Sequence, residues 1–147
     1  MSEPVDTNYY ESFILIAEDC PAEYGIVPPE RGGSKTKAGI EHELITRHPY
    51  HFTSDELLVE VHIQQKGLSD EEREREGQAL EEAFRSKQQP CLRASMLPKK
   101  FGWGIHFDAA GKVALYPVES PEYQAFAQGE QEGIKLIRAM RNKRKES

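Results

Sequence analysis

Along this chain the apolar residues fall into short runs whose spacing shifts between two and three or four. In YYESFILIAED, residues 9–19, Phe13, Leu15 and Ala17 alternate with Ser12, Ile14 and Ile16. Both sets are fairly apolar, which predicts a strand covered on both sides. CPAEYGIVPPERGGSK, residues 20–35, is dense in Pro and Gly and reads as a long loop. A helix is expected from about Thr36, with Ile40, Leu44 and Ile45 on one face and Pro49 as its stop.

The next stretch, TSDELLVEVHIQQKGL, is ambiguous by period alone. Leu57, Val59, Val61 and Ile63 alternate with Leu58, Glu60, His62 and Gln64, as in a strand. Thr53 and Glu56, however, have the spacing of a capping box, and Gly67 stands where a left-handed C-terminal cap belongs. Both end signals agree on a helical length, so helix is preferred. SDEEREREGQALEEAFRSK, residues 69–87, is expected as an exposed helix opened by Ser69 and an acidic first turn, with Leu80, Ala83 and Phe84 as its narrow buried stripe.

GWGIHFDAAGKVALYPV carries the strongest local signal. Trp103, Ile105 and Phe107 share one face of a strand, Val113 and Leu115 share that of the next, and DAAG with a left-handed Gly111 suits the turn between them. Gly102 and Gly104, beside Trp103, fit a bend or a close approach at the strand's start. SPEYQAF opens a helix with Ser120 as N-cap and Pro121 at its first position. A last helix is expected to carry Ile134, Ile137 and Met140 on one side and to end in RNKRKES, residues 141–147, a basic tail expected to fray. Strand, three helices, hairpin and two helices predict an α+β fold with a small antiparallel sheet packed against helices.

A chain of 147 residues is one domain's worth, so residues 1–147 are read as a single domain needing no disulfide staples. Cys20 and Cys91, far apart in sequence, are read as free thiols. The acidic N-terminus does not look like a targeting segment, and FILIA is the longest strongly apolar run, so no membrane span is expected. A net charge of −6 argues against a general nucleic-acid binder, whose partner's phosphates need a basic face. The basic RAMRNKRK window suits the negative end of a helix dipole and has no interleaved aromatic on which bases would stack.

Familiar chemistry is mostly excluded by spacing. GGSKT, residues 32–36, lacks a P-loop's glycines, because Ser34 precedes Lys35 and Pro29 holds the earlier position. What remains is a Gly-rich basic segment with Arg31, Lys35 and Lys37 feeding a helix N-terminus, fit either for an anion or for a solvated turn capped by Thr36. HELITRHPYH sets His42 and His48 six apart, on opposed sides of a helix, so no metal site is expected. Cys91 has Leu97 where a phosphatase places Arg. It reads either as a small buried hydrophobe or as a thiolate favoured by Arg93, Lys99 and Lys100 with His106 as base. GWGIHF lacks a dinucleotide fingerprint's third glycine and enters a strand. No cofactor is implied.

NYYESFILIAEDCP, HPYHFTSDELL and QPCLRASMLPKKFGWGIHFDAAGKVALYPVESPEYQ, in that order, resemble a bacterial protein family of unknown function. The resemblance covers nearly the whole chain. It implies a small, stand-alone, bacterial cytoplasmic protein and carries over no activity, cofactor or catalytic residue. Function therefore rests on the residues. The leading expectation is a cytoplasmic binding module for a small anionic ligand, held by Arg31, Lys35, Arg93, Lys99 and Lys100 against an apolar wall of Trp103 and Tyr50. The alternatives are a cysteine-dependent enzyme using Cys91 with His106, and an interaction or regulatory protein using the acidic helix 69–87.

Overall fold

The computed structural model describes residues 9–67, 69–85 and 92–142. Four strands form one mixed sheet in the order β3-β2-β1-β4. The strands are β1 (Ser12–Leu15), β2 (Trp103–Phe107), β3 (Val113–Pro117) and β4 (Lys135–Arg138). Around them lie α1 (Lys37–Arg47), α2 (Ser54–Lys66), α3 (Asp70–Arg85), α4 (Met96–Lys100) and α5 (Pro121–Ala127). The class is α+β, as the pattern predicts, and β2 and β3 are the expected antiparallel hairpin. Among the described residues no helix is long and apolar enough to cross a membrane.

Local signals fix most helix ends. Thr36 accepts from the Gly39 amide to start α1, and Ser120 does the same for α5 from Tyr123, with Pro121 at the first helical position. The ambiguous stretch is α2. Its Thr53–Glu56 capping box is formed in both directions, and Gly67 ends it in the left-handed region at φ 66°. The two signals outweigh the strand-like alternation because α2 is buried on more than one side, taking in Leu57, Leu58, Val59, Val61 and Ile63. A broadly buried helix loses the one-sided stripe by which its period is read.

Two expectations are corrected. The last predicted helix is instead strand β4, parallel to β1 with Lys135 opposite Ser12 and Arg138 opposite Leu15, so the sheet is mixed rather than purely antiparallel. The spacing of Ile134, Ile137 and Met140 fits a helix over too short a window to exclude a strand. Gly129 and Gly133, both at positive φ, break the chain after α5, and the free edge of β1 takes up the segment. The Lys135 and Ala139 amides donate to the Glu11 and Leu15 carbonyls, satisfying groups that would otherwise stay unpaired. The connector before β2 is also structured: a 3₁₀ turn, Leu92–Ala94, leads into α4, whose N-cap is Ser95. Leu92 and Leu97 in it are fully buried.

Strand alternation gives the sheet two faces with different covers. Ile14, Ile105, Phe107 and Val113 belong to a large core with Ile45 of α1, Leu57 and Val61 of α2, and Leu92 and Leu97. On the other face Phe13 packs with Tyr123 and Phe126 of α5. Phe13 stacks on Phe126 at 4.4 Å between centroids and meets Tyr123 edge-on at 5.4 Å. Gly104 makes room for this cluster: a Cβ there would come within 2.5 Å of the Phe13 ring and 2.8 Å of Tyr123. Trp103, on the first face, packs edge-on against His42 at 4.8 Å, and its indole N–H donates to the Ile26 carbonyl at 2.8 Å.

Candidate functional site

The turn between α1 and α2 puts Tyr50 at φ +56°. The left-handed region costs an L side chain roughly 1–2 kcal/mol, and a bulky non-glycine residue there marks a conformation the surroundings impose. Here the surroundings are explicit. The Tyr50 amide donates to the Val113 carbonyl at 2.8 Å, and the Val113 amide donates to the Phe52 carbonyl at 2.9 Å. Thr53 bridges Lys112, whose ammonium donates to the His51 carbonyl at 3.0 Å. Residues 50–53 are thus sewn along the outer edge of β3.

From that edge the Tyr50 side chain reaches the second face of the sheet. Its hydroxyl lies 2.8 Å from His106 Nδ1 on β2 and 2.7 Å from the Tyr116 hydroxyl on β3. Phe126 backs the group, 4.6 Å from the His106 ring and 5.5 Å from Tyr116. His106 Nε2 is buried and without a hydrogen-bond partner. Burial lowers the imidazole below its usual range, against an upward pull from Asp108 and Glu11. Tyr50 is pushed well above the usual phenol range by burial, by its bond to Tyr116 and by the Asp108 charge. At neutral pH Tyr50 and His106 are therefore uncharged, and with the Tyr116 hydroxyl they form a chain of donors and acceptors backed by α5.

Of the residues singled out from the sequence, the fold brings together Tyr50 and His106, 56 positions apart. It does not bring Trp103 to Tyr50's hydroxyl, because Trp103 joins the core on the opposite sheet face. Lys35 is ion-paired with Glu43 of α1. The Arg93 guanidinium donates to the Arg138 carbonyl at 2.9 Å, tying the 3₁₀ turn to β4. Lys100 lies over the Phe101 ring at 5.7 Å, Lys99 is half-buried on α4, and Arg31 is exposed in a small turn closed on Ser34. Cys91 lies outside the described residues, as do residues 143–147 of the basic tail and residues 86 and 87 of the acidic segment. His106 Nδ1, the candidate base, is bonded to a phenol. Among the described residues no three His, Cys, Asp or Glu side chains are grouped to hold a metal ion.

Tyr116 was missed by sequence reasoning, though the hairpin register held a signal. With Ala114 opposite His106, alternation puts Tyr116 on the same face one step along β3. Tyr50 had no comparable signal for its partner.

Fold and site together define a small α+β protein with a hydrogen-bonded Tyr–Tyr–His chain on one sheet face. The chain belongs to a family of unknown function, DUF6157, whose match runs over residues 4–145. No curated protein and no solved structure matches it.

Proposed function

We propose that this protein is a small bacterial cytoplasmic binding module, and that it recognises a small polar molecule at the Tyr116–Tyr50–His106 chain. One observation carries the reading: a tyrosine is held in a strained backbone position so that its hydroxyl completes a chain to a half-buried imidazole whose Nε2 is buried and unpaired. Strain of this kind is kept where the surroundings over-determine it, and it clusters at ligand clamps and active sites. The fold does not need it, since glycine would make the same turn without the cost. The orphan Nε2 adds a second cost, about 1–3 kcal/mol for a buried polar group left unpaired.

On this reading Lys35 and Arg93 serve the fold through Glu43 and the Arg138 carbonyl, while Arg31 is exposed and Lys99 and Lys100 lie half-buried on α4. The test is a fragment screen of small polar compounds read by NMR. Bound fragments should shift Tyr50, His106, Tyr116 and Phe126 together, and Tyr50→Phe should weaken them about tenfold, the loss of one or two neutral hydrogen bonds. Hits that map to the Arg93–Lys100 segment, and bind Tyr50→Phe unchanged, would overturn the proposal in favour of a basic-loop site.

A further inference from the structure

The turn that carries Tyr50 also brings two histidine rings together. We infer that His48 and His51 form a second site, a two-imidazole clamp for a divalent transition cation such as zinc, which stands whether or not the Tyr50 hydroxyl binds a ligand. Their ring centroids lie 5.7 Å apart, with the planes inclined at 47°. An ion about 2.1 Å from one nitrogen of each ring would hold the centroids roughly 5–6 Å apart, so the observed spacing falls in the range for a shared ion. Both residues are exposed, and a hydrated ion can reach them from solvent. Phe52 backs the pair, nearly perpendicular to both rings, at 6.2 Å from His48 and 4.7 Å from His51.

The path of the chain makes this pair, not a helical period. Helical spacing separates His42 from His48, whereas the turn unites His48 with His51. His48 is the C-cap of α1, its amide donating to the Leu44 carbonyl at 3.1 Å. Pro49 fixes its own φ, and Tyr50 at φ +56° redirects the chain. The Tyr50 amide and the Phe52 carbonyl are both bonded to Val113 of β3, which pins the backbone on either side of His51. Both histidines therefore stand on backbone that is fixed before an ion arrives, and binding has only side-chain rotation to restrict.

Ligand type selects the ion. Imidazole suits zinc, copper and nickel, whereas magnesium and calcium take oxygen ligands. No group of three His, Cys, Asp or Glu is present among the described residues, so water completes the coordination and the ion stays exchangeable. The cations beside the pair each have a carboxylate partner. Arg47 lies 3.4 Å from Glu43, and Lys112, which donates to the His51 carbonyl, lies 3.6 Å from Glu56. Two other histidines are placed differently: His106 Nδ1 is bonded to Tyr50, and His42 packs against Trp103 with its Nε2 buried.

The probe is zinc chloride, titrated at pH 7.5 in a non-coordinating buffer with magnesium chloride as the opposing arm, while the imidazole C–H signals are followed by NMR. Zinc should shift His48 and His51 together and saturably, leaving His42 and His106 in place, and magnesium should shift none of them. The second ligand of a joined pair binds intramolecularly, so His48→Gln and His51→Gln should each weaken zinc roughly a hundredfold. Both positions are exposed, and unchanged His42 and His106 signals report that the variants keep the fold. A loss confined to one variant would mean that a lone imidazole binds zinc, and it overturns the clamp. Zinc that shifts neither ring, zinc affinity unchanged in both variants, or an equal response to magnesium overturns it as well.

Discussion

At Tyr50 the ordinary ranking of side chains should invert. Because its φ is +56°, glycine fits the backbone there and alanine does not. Both substitutions remove the hydroxyl, so their difference isolates the backbone. Tyr50→Gly should therefore be more stable than Tyr50→Ala by about 1 kcal/mol in urea unfolding, against the usual preference for alanine. Equal stabilities would show that the turn relaxes when the tyrosine leaves. Glu41 offers a second test at this scale. It is 1% exposed in α1, with the Ser95 hydroxyl donating to it at 2.8 Å. Burial raises its carboxyl, and the Ser95 bond and the Lys37 charge offset this only in part. The folded state thus holds the proton more tightly than the unfolded chain. Stability falls as pH rises from the ordinary carboxylate value of 4.5 through the raised folded one. Glu41→Gln keeps an acceptor for Ser95 and cannot ionise. Its melting temperature should exceed that of the parent at pH 7.5 and match it near pH 4; a loss at pH 7.5 would mean that the ionised carboxylate is the form the fold uses.

At the scale of elements, close approaches and unpaired edges decide more than propensity does. Gly104 is required because the Phe13 and Tyr123 rings occupy the space of any Cβ. Gly104→Ala should cost about 1–3 kcal/mol by overpacking. The cost should shrink when Tyr123→Leu is added, a coupling measurable by a double-mutant cycle. Strand β4 makes a different prediction. Its Lys135 and Ala139 amides face β1, as those of Leu136 and Arg138 cannot in the same ladder. Hydrogen exchange should therefore alternate along 135–139, with 135, 137 and 139 slow. Uniform protection of consecutive amides would indicate a helix. The same edge explains Arg93, whose carbonyl accepts from Met140 while its guanidinium donates to Arg138.

For the whole molecule, the two apolar clusters share one sheet: Ile14 and Phe13 are chain neighbours yet lie in opposite cores. Loss of either core should therefore be felt by the other. Leu57→Ala on the first face and Phe126→Ala on the second should each lower global stability, by roughly 2–5 kcal/mol. Near-UV and far-UV signals should still fall in one coincident transition. Separate transitions in the Phe126 variant would mean that α5 and its cluster melt independently.

The sequence by itself determined what local chemistry can encode. Thr36, Thr53 with Glu56, Gly67 and Ser120 with Pro121 set helix ends through contacts spanning a few residues, so they were legible in a single chain. The β2–β3 hairpin was legible for the same reason, its alternation and its Gly111 turn being adjacent. The class of fold follows from these pieces. Tertiary structure decided the rest. Whether 135–138 is helix or strand depends on a partner edge more than a hundred residues away, and four residues carry no period strong enough to resist it. The candidate site is likewise non-local: His106 stands on β2, Tyr116 on β3 and Tyr50 in a turn stitched to the sheet edge by backbone bonds. Composition drew attention to basic loops because charge is visible in a sequence. The meeting of Tyr50, His106 and Tyr116 is not, since it is made by register and by one strained turn.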